Sequence, residues 1–165
     1  MTPDWEPIAE RLRDELADYG ELLRLFEEQQ RAIFGQEPDL VLQQAGAIET
    51  QTRTAANRRL QREAAVDAFA LARGRPAPAT LRAVLPLVAA EAQPLIDALR
   101  LEVNHLIYRV RRASRQNRML LARVVEINQE TLQFLRPNAF TKTYSPAGRV
   151  SVAATDRPST LRAAG

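Results

Sequence analysis

The sequence predicts an all-α fold, an elongated antiparallel bundle of three long helices plus one short helix with an irregular C-terminal tail, and three observations predict it. The first is a seam between Glu91 and Arg136, where Ile96, Leu99, Val103, Leu106, Val110, Ala113, Asn117, Leu120, Val124, Ile127, Thr131 and Phe134 recur in alternating steps of three and four. A heptad pattern held for six repeats, with no glycine or proline after Pro94, specifies one continuous helix whose apolar stripe is buried against other helices. Such a helix reaches roughly 69 Å, too long for the interior of a compact globule of this size, so a rod is expected. The second is composition: only 5% of residues are aromatic, while Ala, Leu, Gln, Glu and Arg dominate, which suits helices packing on helices. The third is the placing of the breakers Gly35, Pro38, Gly74, Pro76 and Pro78, which leave short links between periodic segments and so make sequential neighbours antiparallel.

In chain order, Asp4 is a candidate N-cap for the first helix, with acids through its early turns to favour the positive end of the helix dipole. Ile8, Leu12, Leu16, Tyr19, Leu23, Phe26 and Ile33 mark its buried face. Gly35 suits the position just past its end, and Pro38 the first turn of the next helix. That second helix, from about Pro38 to Arg73, offers Val41, Ala45, Ile48, Thr52, Ala55, Leu60, Ala64, Phe69 and Leu71 to the core, and its polar middle should pack most loosely. Thr80 caps a short helix from Leu81 to Val88, interrupted by Pro86, and Pro94 restarts the long one. After Pro137 the apolar period stops, so residues 1–136 read as a helical domain and 137–165 as a flexible tail, with no strand pattern longer than Val150 to Val152.

Composition also narrows function. No run of 18 or more apolar residues exists and the N-terminus lacks the basic start and apolar core of a signal peptide, so no membrane insertion and a cytoplasmic location are expected. Zero cysteines exclude disulfide and thiolate chemistry. The only histidine, His105, lies off the seam and has no neighbours at metal-ligand spacing, and no glycine-rich pattern cradles a phosphate, so a non-enzyme without cofactor or metal is expected.

Charge is uneven. Residues 1–30 carry nine acids against Arg11, Arg13 and Arg24, whereas residues 100–123 carry Arg100, Arg109, Arg111, Arg112, Arg115, Arg118 and Arg123 against Glu102 alone. Mutual pairing of these segments would absorb most of the basic patch. The run from Arg109 to Arg115 therefore reads first as a paired helix face, then as a nucleic-acid contact short of interleaved aromatics, or as a contact for an acidic partner. Asn117 in the seam reads as a buried polar residue that fixes register, with a ligand contact as the other reading.

Glu21-Leu22-Leu23-Arg24-Leu25-Phe26-Glu27-Glu28, the stretch from Asn104 to Leu121, and Thr143-Tyr144-Ser145-Pro146-Ala147-Gly148-Arg149-Val150 together resemble the FlgN family of flagellar export chaperones. The family commonly shows a Tyr-Gly-Pro-Asp-Gly kind of tail, where this chain has Ser145 and Ala147. The resemblance implies a non-enzymatic cytoplasmic chaperone that holds hook-filament junction proteins and delivers them to the cytoplasmic domain of the flagellar type III export gate. Such chaperones grip an amphipathic terminal segment of the client, a mode that places anchors at i, i+3, i+4 and i+7 in an apolar groove.

The expected groove lies on the last turns of the long helix. There the seam residues Val124, Ile127, Thr131 and Phe134 are joined by a second stripe, Leu121, Val125, Leu132 and Leu135, interrupted by Asn128. The expected client-binding set is Leu121, Val124, Val125, Asn128, Thr131, Leu132 and Leu135. Two stripes need two neighbours, and a bundle satisfies one, leaving the other for a client or a second copy. Tyr144, the one large amphipathic residue in a proline-rich tail, is the candidate for docking to the export gate, with a turn at Pro146-Ala147-Gly148. A self-contained bundle predicts a monomer or weak homodimer. A structural coiled-coil scaffold and an Arg-rich nucleic-acid-binding rod are the alternative readings, with nucleic acid not favoured.

Overall fold

A computed structural model describes residues 4–135 and, for the backbone alone, 140–144 and 150–154. The elements are α1 (Glu6–Phe34), α2 (Pro38–Leu71), α3 (Leu81–Val84) followed by a 3-10 turn (Leu85–Leu87), α4 (Gln93–Leu135), β1 (Phe140–Tyr144) and β2 (Val150–Ala154). The chain divides into two compact units, Met1–Arg118 and Met119–Gly165, and α4 runs through the division.

In the first unit, the breakers act where the sequence places them. Pro38 lies in the first turn of α2, and the Thr80 hydroxyl accepts from the Ala83 amide at 3.2 Å to cap α3. Two expectations change. Gly35 keeps a right-handed conformation, and Gln36 takes the positive φ of 56° that turns the chain. Asp4 does not cap α1, whose capping residue Trp5 makes no side-chain bond; instead its carboxylate meets Arg73 at 2.6 Å, while that guanidinium lies 3.6 Å over the Phe69 ring. The aspartate thus ties the start of α1 to the end of α2.

The backbones of α1 and α2 approach closely because small residues, Ala9, Ala32, Ala55 and Ala70, are buried on them. Their side-chain bonds run antiparallel: Gln29 Nε2 donates to the Val41 carbonyl, Gln44 to Glu28, Gln51 to Asp18, and Arg62 to Glu15. One apolar layer joins Ile8 and Leu12 of α1, Val66 and Phe69 of α2, Leu81, Val84 and Val88 of the connector, and Ile96 and Val103 of α4. A second gathers Leu22, Leu23 and Val110 with Phe26, Ile48 and Leu106. These contacts make α4, as far as Arg118, parallel to α1. The residues of α4 that are fully buried, Ile96, Val103, Val110 and Asn117, fall at one heptad position.

For α2 the expected face needs correction. Ala45, Thr52, Leu60, Ala64 and Leu71 are exposed, and Ala55, Val66, Phe69 and Ala70 carry the burial. Apolar residues are scattered around this helix, so periodicity identified the helix and not its inner side. Its polar middle still binds α1, through Gln44 and Gln51.

The charge pattern is also corrected. The acids of α1 are met mainly by α2: Arg58 lies 3.5 Å from Asp14 and 3.2 Å from Asp18, and Arg62 lies 2.6 Å from Glu15. Arg24 takes Glu21 and Glu28 within α1 itself. From α4 only Arg109 reaches an α1 acid, Glu27 at 3.9 Å, among the described residues. Arginine placement on α2, hidden in a segment of mixed charge, decided the pairing.

In the second unit, β1 and β2 pair antiparallel from Phe140 opposite Ala154 to Tyr144 opposite Val150. The tail expected to be irregular therefore contains a hairpin. The signal was present in Phe140-Thr141-Lys142-Thr143-Tyr144, rich in aromatic and β-branched residues that favour a pleated strand.

Candidate functional site

Three polar side chains, Glu15, Gln29 and Asn117, are buried in the first unit among the described residues. Asn117 is buried and its amide donates to the Phe26 carbonyl at 2.8 Å and to Gln29 Oε1 at 3.1 Å. The Gln29 amide donates in turn to the Val41 carbonyl at 3.5 Å, so one network spans α1, α2 and α4. A sliding helix would strand these groups unpaired, which is why a buried amide fixes register. Of the two readings of Asn117, the register role is the one these partners support.

Glu15 was not singled out by the sequence, yet it is 0% exposed. Its Oε1 accepts from Arg62 at 2.6 Å, while its Oε2 has no partner among the described residues. Burial pushes its pKa up, and Arg62 only partly opposes the shift. Nearby, Tyr19 is also pushed up, by burial and then by the Glu15 charge. Glu15 and Arg62 join α1 to α2, and Arg62 also lines a pocket with Glu63, Asp67 and Thr80.

The surface of interest is on the last turns of α4. Every residue from Ala122 to Leu135 is exposed, and Leu121 is half-buried. Val124, Val125, Leu132 and Leu135 of the expected set are therefore open, together with Asn128 and Thr131. Spacings of four, three, four and three place Leu121, Val125, Asn128, Leu132 and Leu135 on one helix face, with Val124 and Thr131 beside it. Leu132 is 49% exposed and Phe134 87%. Ile127 and Phe134 were counted with the bundle seam and not with the groove; their exposure adds them to the apolar surface.

Some of the polar groups on this surface are already partnered within α4. The Thr131 hydroxyl donates to the Ile127 carbonyl of its own helix at 2.8 Å and needs no outside partner. Arg123 and Glu126 pair at 2.6 Å, a hydrogen bond that raises the arginine above its usual value. Asn128 has no side-chain bond among the described residues, so a bound segment would have to offer it one. Tyr144 ends β1, its backbone paired with Val150. The turn expected at Pro146-Ala147-Gly148 lies outside the described residues.

Among the described residues no group of three or more His, Cys, Asp or Glu side chains converges as a metal ion would need, and His105 is exposed. No described helix is long and apolar enough to cross a membrane. A helical bundle whose longest helix leaves a broad apolar face open has the architecture of a polypeptide binder. The family model described as FlgN protein matches residues 1–151. The chain belongs to the FlgN family, a family of flagellar export chaperones and not of enzymes. Comparison with curated proteins and with solved structures found no match.

Proposed function

We propose that this chaperone works in the cytoplasm, holds hook-filament junction proteins through the apolar face of α4 from Leu121 to Leu135, and delivers them to the cytoplasmic domain of the flagellar type III export gate. The observation that carries the reading is the exposure of Val124, Val125, Ile127, Leu132, Phe134 and Leu135 on successive turns of one helix. A client's amphipathic helix laid on that face buries these side chains at about 25 cal/mol per Å², and Asn128 gives the contact direction. In this reading residues 1–136 act as the chaperone domain and 137–165 as a docking tail.

The test is a set of alanine variants, because alanine keeps helix propensity while removing contact area. Leu121→Ala, Val125→Ala and Leu132→Ala are each expected to weaken client binding about tenfold, with helix content retained. Unchanged affinity together with a lower melting temperature would move these residues into the bundle and remove the groove.

Tyr144 is assigned to the gate. Its ring offers apolar burial and its hydroxyl a directional hydrogen bond. Tyr144→Ala is expected to reduce gate binding and secretion while client affinity and thermal stability stay constant. Because β2 carries the backbone partners of β1, the matching truncation removes 155–165 and spares the ladder. That truncation is expected to do less harm than the single substitution. Gate binding that survives Tyr144→Ala, or client binding that falls with it, contradicts the assignment.

A further inference from the structure

The side of α4 turned away from the first unit's core carries a second seam. Leu101, His105, Tyr108, Arg112 and Arg115 follow in steps of four, three, four and three, and all are exposed, Leu101 to 54% and Tyr108 to 66%. On a helix of 3.6 residues per turn these positions form one stripe on the side opposite the buried Val103 and Val110, and Arg112 at its edge also lines a pocket with Phe26 and Glu27 of α1. Among the described residues neither Arg112 nor Arg115 forms an ion pair, and the same holds for Arg111 and Arg118 beside them. Most of the acids that the sequence offers as their partners are engaged elsewhere: Asp14 and Asp18 with Arg58, Glu15 with Arg62, Glu21 and Glu28 with Arg24, and Glu27 with Arg109.

We infer that this stripe docks an acidic amphipathic helix of a partner protein, which lays apolar side chains on Leu101 and Tyr108 and carboxylates on Arg112 and Arg115. The period selects the shape of the partner. Alternating three and four spacing matches the side-chain rows of a second helix running alongside, over roughly 21 Å from Leu101 to Arg115. The residue types select its chemistry. Uncompensated guanidiniums call for carboxylates, which they bind in forked geometry, and a leucine beside a tyrosine calls for aliphatic contact. Nucleic acid fits less well, because bases stack on aromatic faces and Tyr108 is the one aromatic in the stripe. A second copy fits less well too, since of the α1 acids it would bring only Glu6 and Glu10 lack an ion pair among the described residues. The surface is separate from the apolar face at Leu121 to Leu135, so a partner here and a client there do not compete for the same side chains.

The experiment uses the full chain and fluorescent probes. Three stapled helices of about 20 residues share one leucine stripe and carry Glu, Gln or Lys at the flanking positions. A single-stranded RNA of about the same length is the fourth probe. The Glu helix is expected to bind at least about tenfold tighter than the Gln helix, with no binding of the Lys helix. Arg112→Glu with Arg115→Glu is expected to reverse that order, and Arg112→Gln with Arg115→Gln to erase it. Leu101→Ala with Tyr108→Ala is expected to weaken the Glu helix about tenfold while its salt dependence stays the same. Circular dichroism checks that these exposed substitutions leave the fold intact. Equal binding of the Glu and Gln helices, or no binding of either, overturns the proposal. RNA binding tighter than any helix, with a steep loss on adding salt, replaces it with a nucleic-acid site. Self-association in sedimentation that the charge reversal abolishes replaces it with an interface between copies.

Discussion

Arg62→Ala is expected to destabilise the bundle by about 3–5 kcal/mol at neutral pH, since removing one partner of a buried ion pair leaves an uncompensated charge in the core. The charge is Glu15, fully buried, with one oxygen on Arg62 at 2.6 Å and the other without a partner among the described residues. The pH dependence identifies the mechanism. Burial raises the folded-state pKa of Glu15 above its ordinary value, so the folded protein binds this proton more tightly than the unfolded chain does. Stability from this group is therefore greatest at low pH and falls as pH rises from the usual carboxylate range through the folded pKa. Without Arg62 the folded pKa moves higher still, because the opposing attraction and hydrogen bond are gone. The deficit of the variant is accordingly largest at neutral pH and shrinks as pH falls through the usual carboxylate range, because Glu15 takes up its proton in both proteins. Glu21, held low by its hydrogen bond to Arg24, changes stability in the opposite sense but equally in both, so it cancels in the difference. Urea denaturation at several pH values measures this, and a deficit independent of pH contradicts it.

Ile96→Ala is expected to cost about 2–5 kcal/mol, the range for deleting a large aliphatic side chain from a packed core. Ile96 is 0% exposed and packs in the layer formed by Ile8, Leu12, Val66 and Phe69, so the space it leaves has walls on several elements. For a chain of this size the melting temperature should fall by about 4–20 °C. Leu132→Ala, on the same helix, should change stability by less than about 0.5 kcal/mol because that side chain is half open to water. Thermal unfolding of the two variants side by side separates the part of α4 that holds the bundle from the part proposed to meet a client. Similar losses in both would contradict that separation.

The long helix was legible because its signal is regular: every fourth-and-third apolar position from Ile96 to Phe134 agrees with one continuous α4. The breakers were equally readable, with α1 ending at Phe34 and α2 starting at Pro38. The inner side of α2 was not. Leu60 and Leu71 point outward while Ala55 and Ala70 are buried, since close approach to α1 favours small side chains and hydrophobicity alone ranks leucine higher. Glu15 was invisible for a related reason: a carboxylate in an acid-rich first helix looks like solvated surface until Arg62, 47 residues later, is brought beside it. The apolar stripe at Leu121 to Leu135 was readable because two apolar rows on one helix exceed what one bundle contact covers. The β hairpin was masked by Pro146 and small residues around two short strands.

The most direct measurement is hydrogen–deuterium exchange of the full chain with and without a hook-filament junction protein. Amides of a helix with few tertiary contacts open locally, so residues 122–135 should exchange faster than the interior turns around Ile96 and Val103 when no client is present. The account predicts that client binding slows exchange chiefly between Leu121 and Leu135 and leaves the rest of the bundle nearly unchanged. Protection confined to α1 and α2, with the end of α4 still exchanging freely, would contradict it.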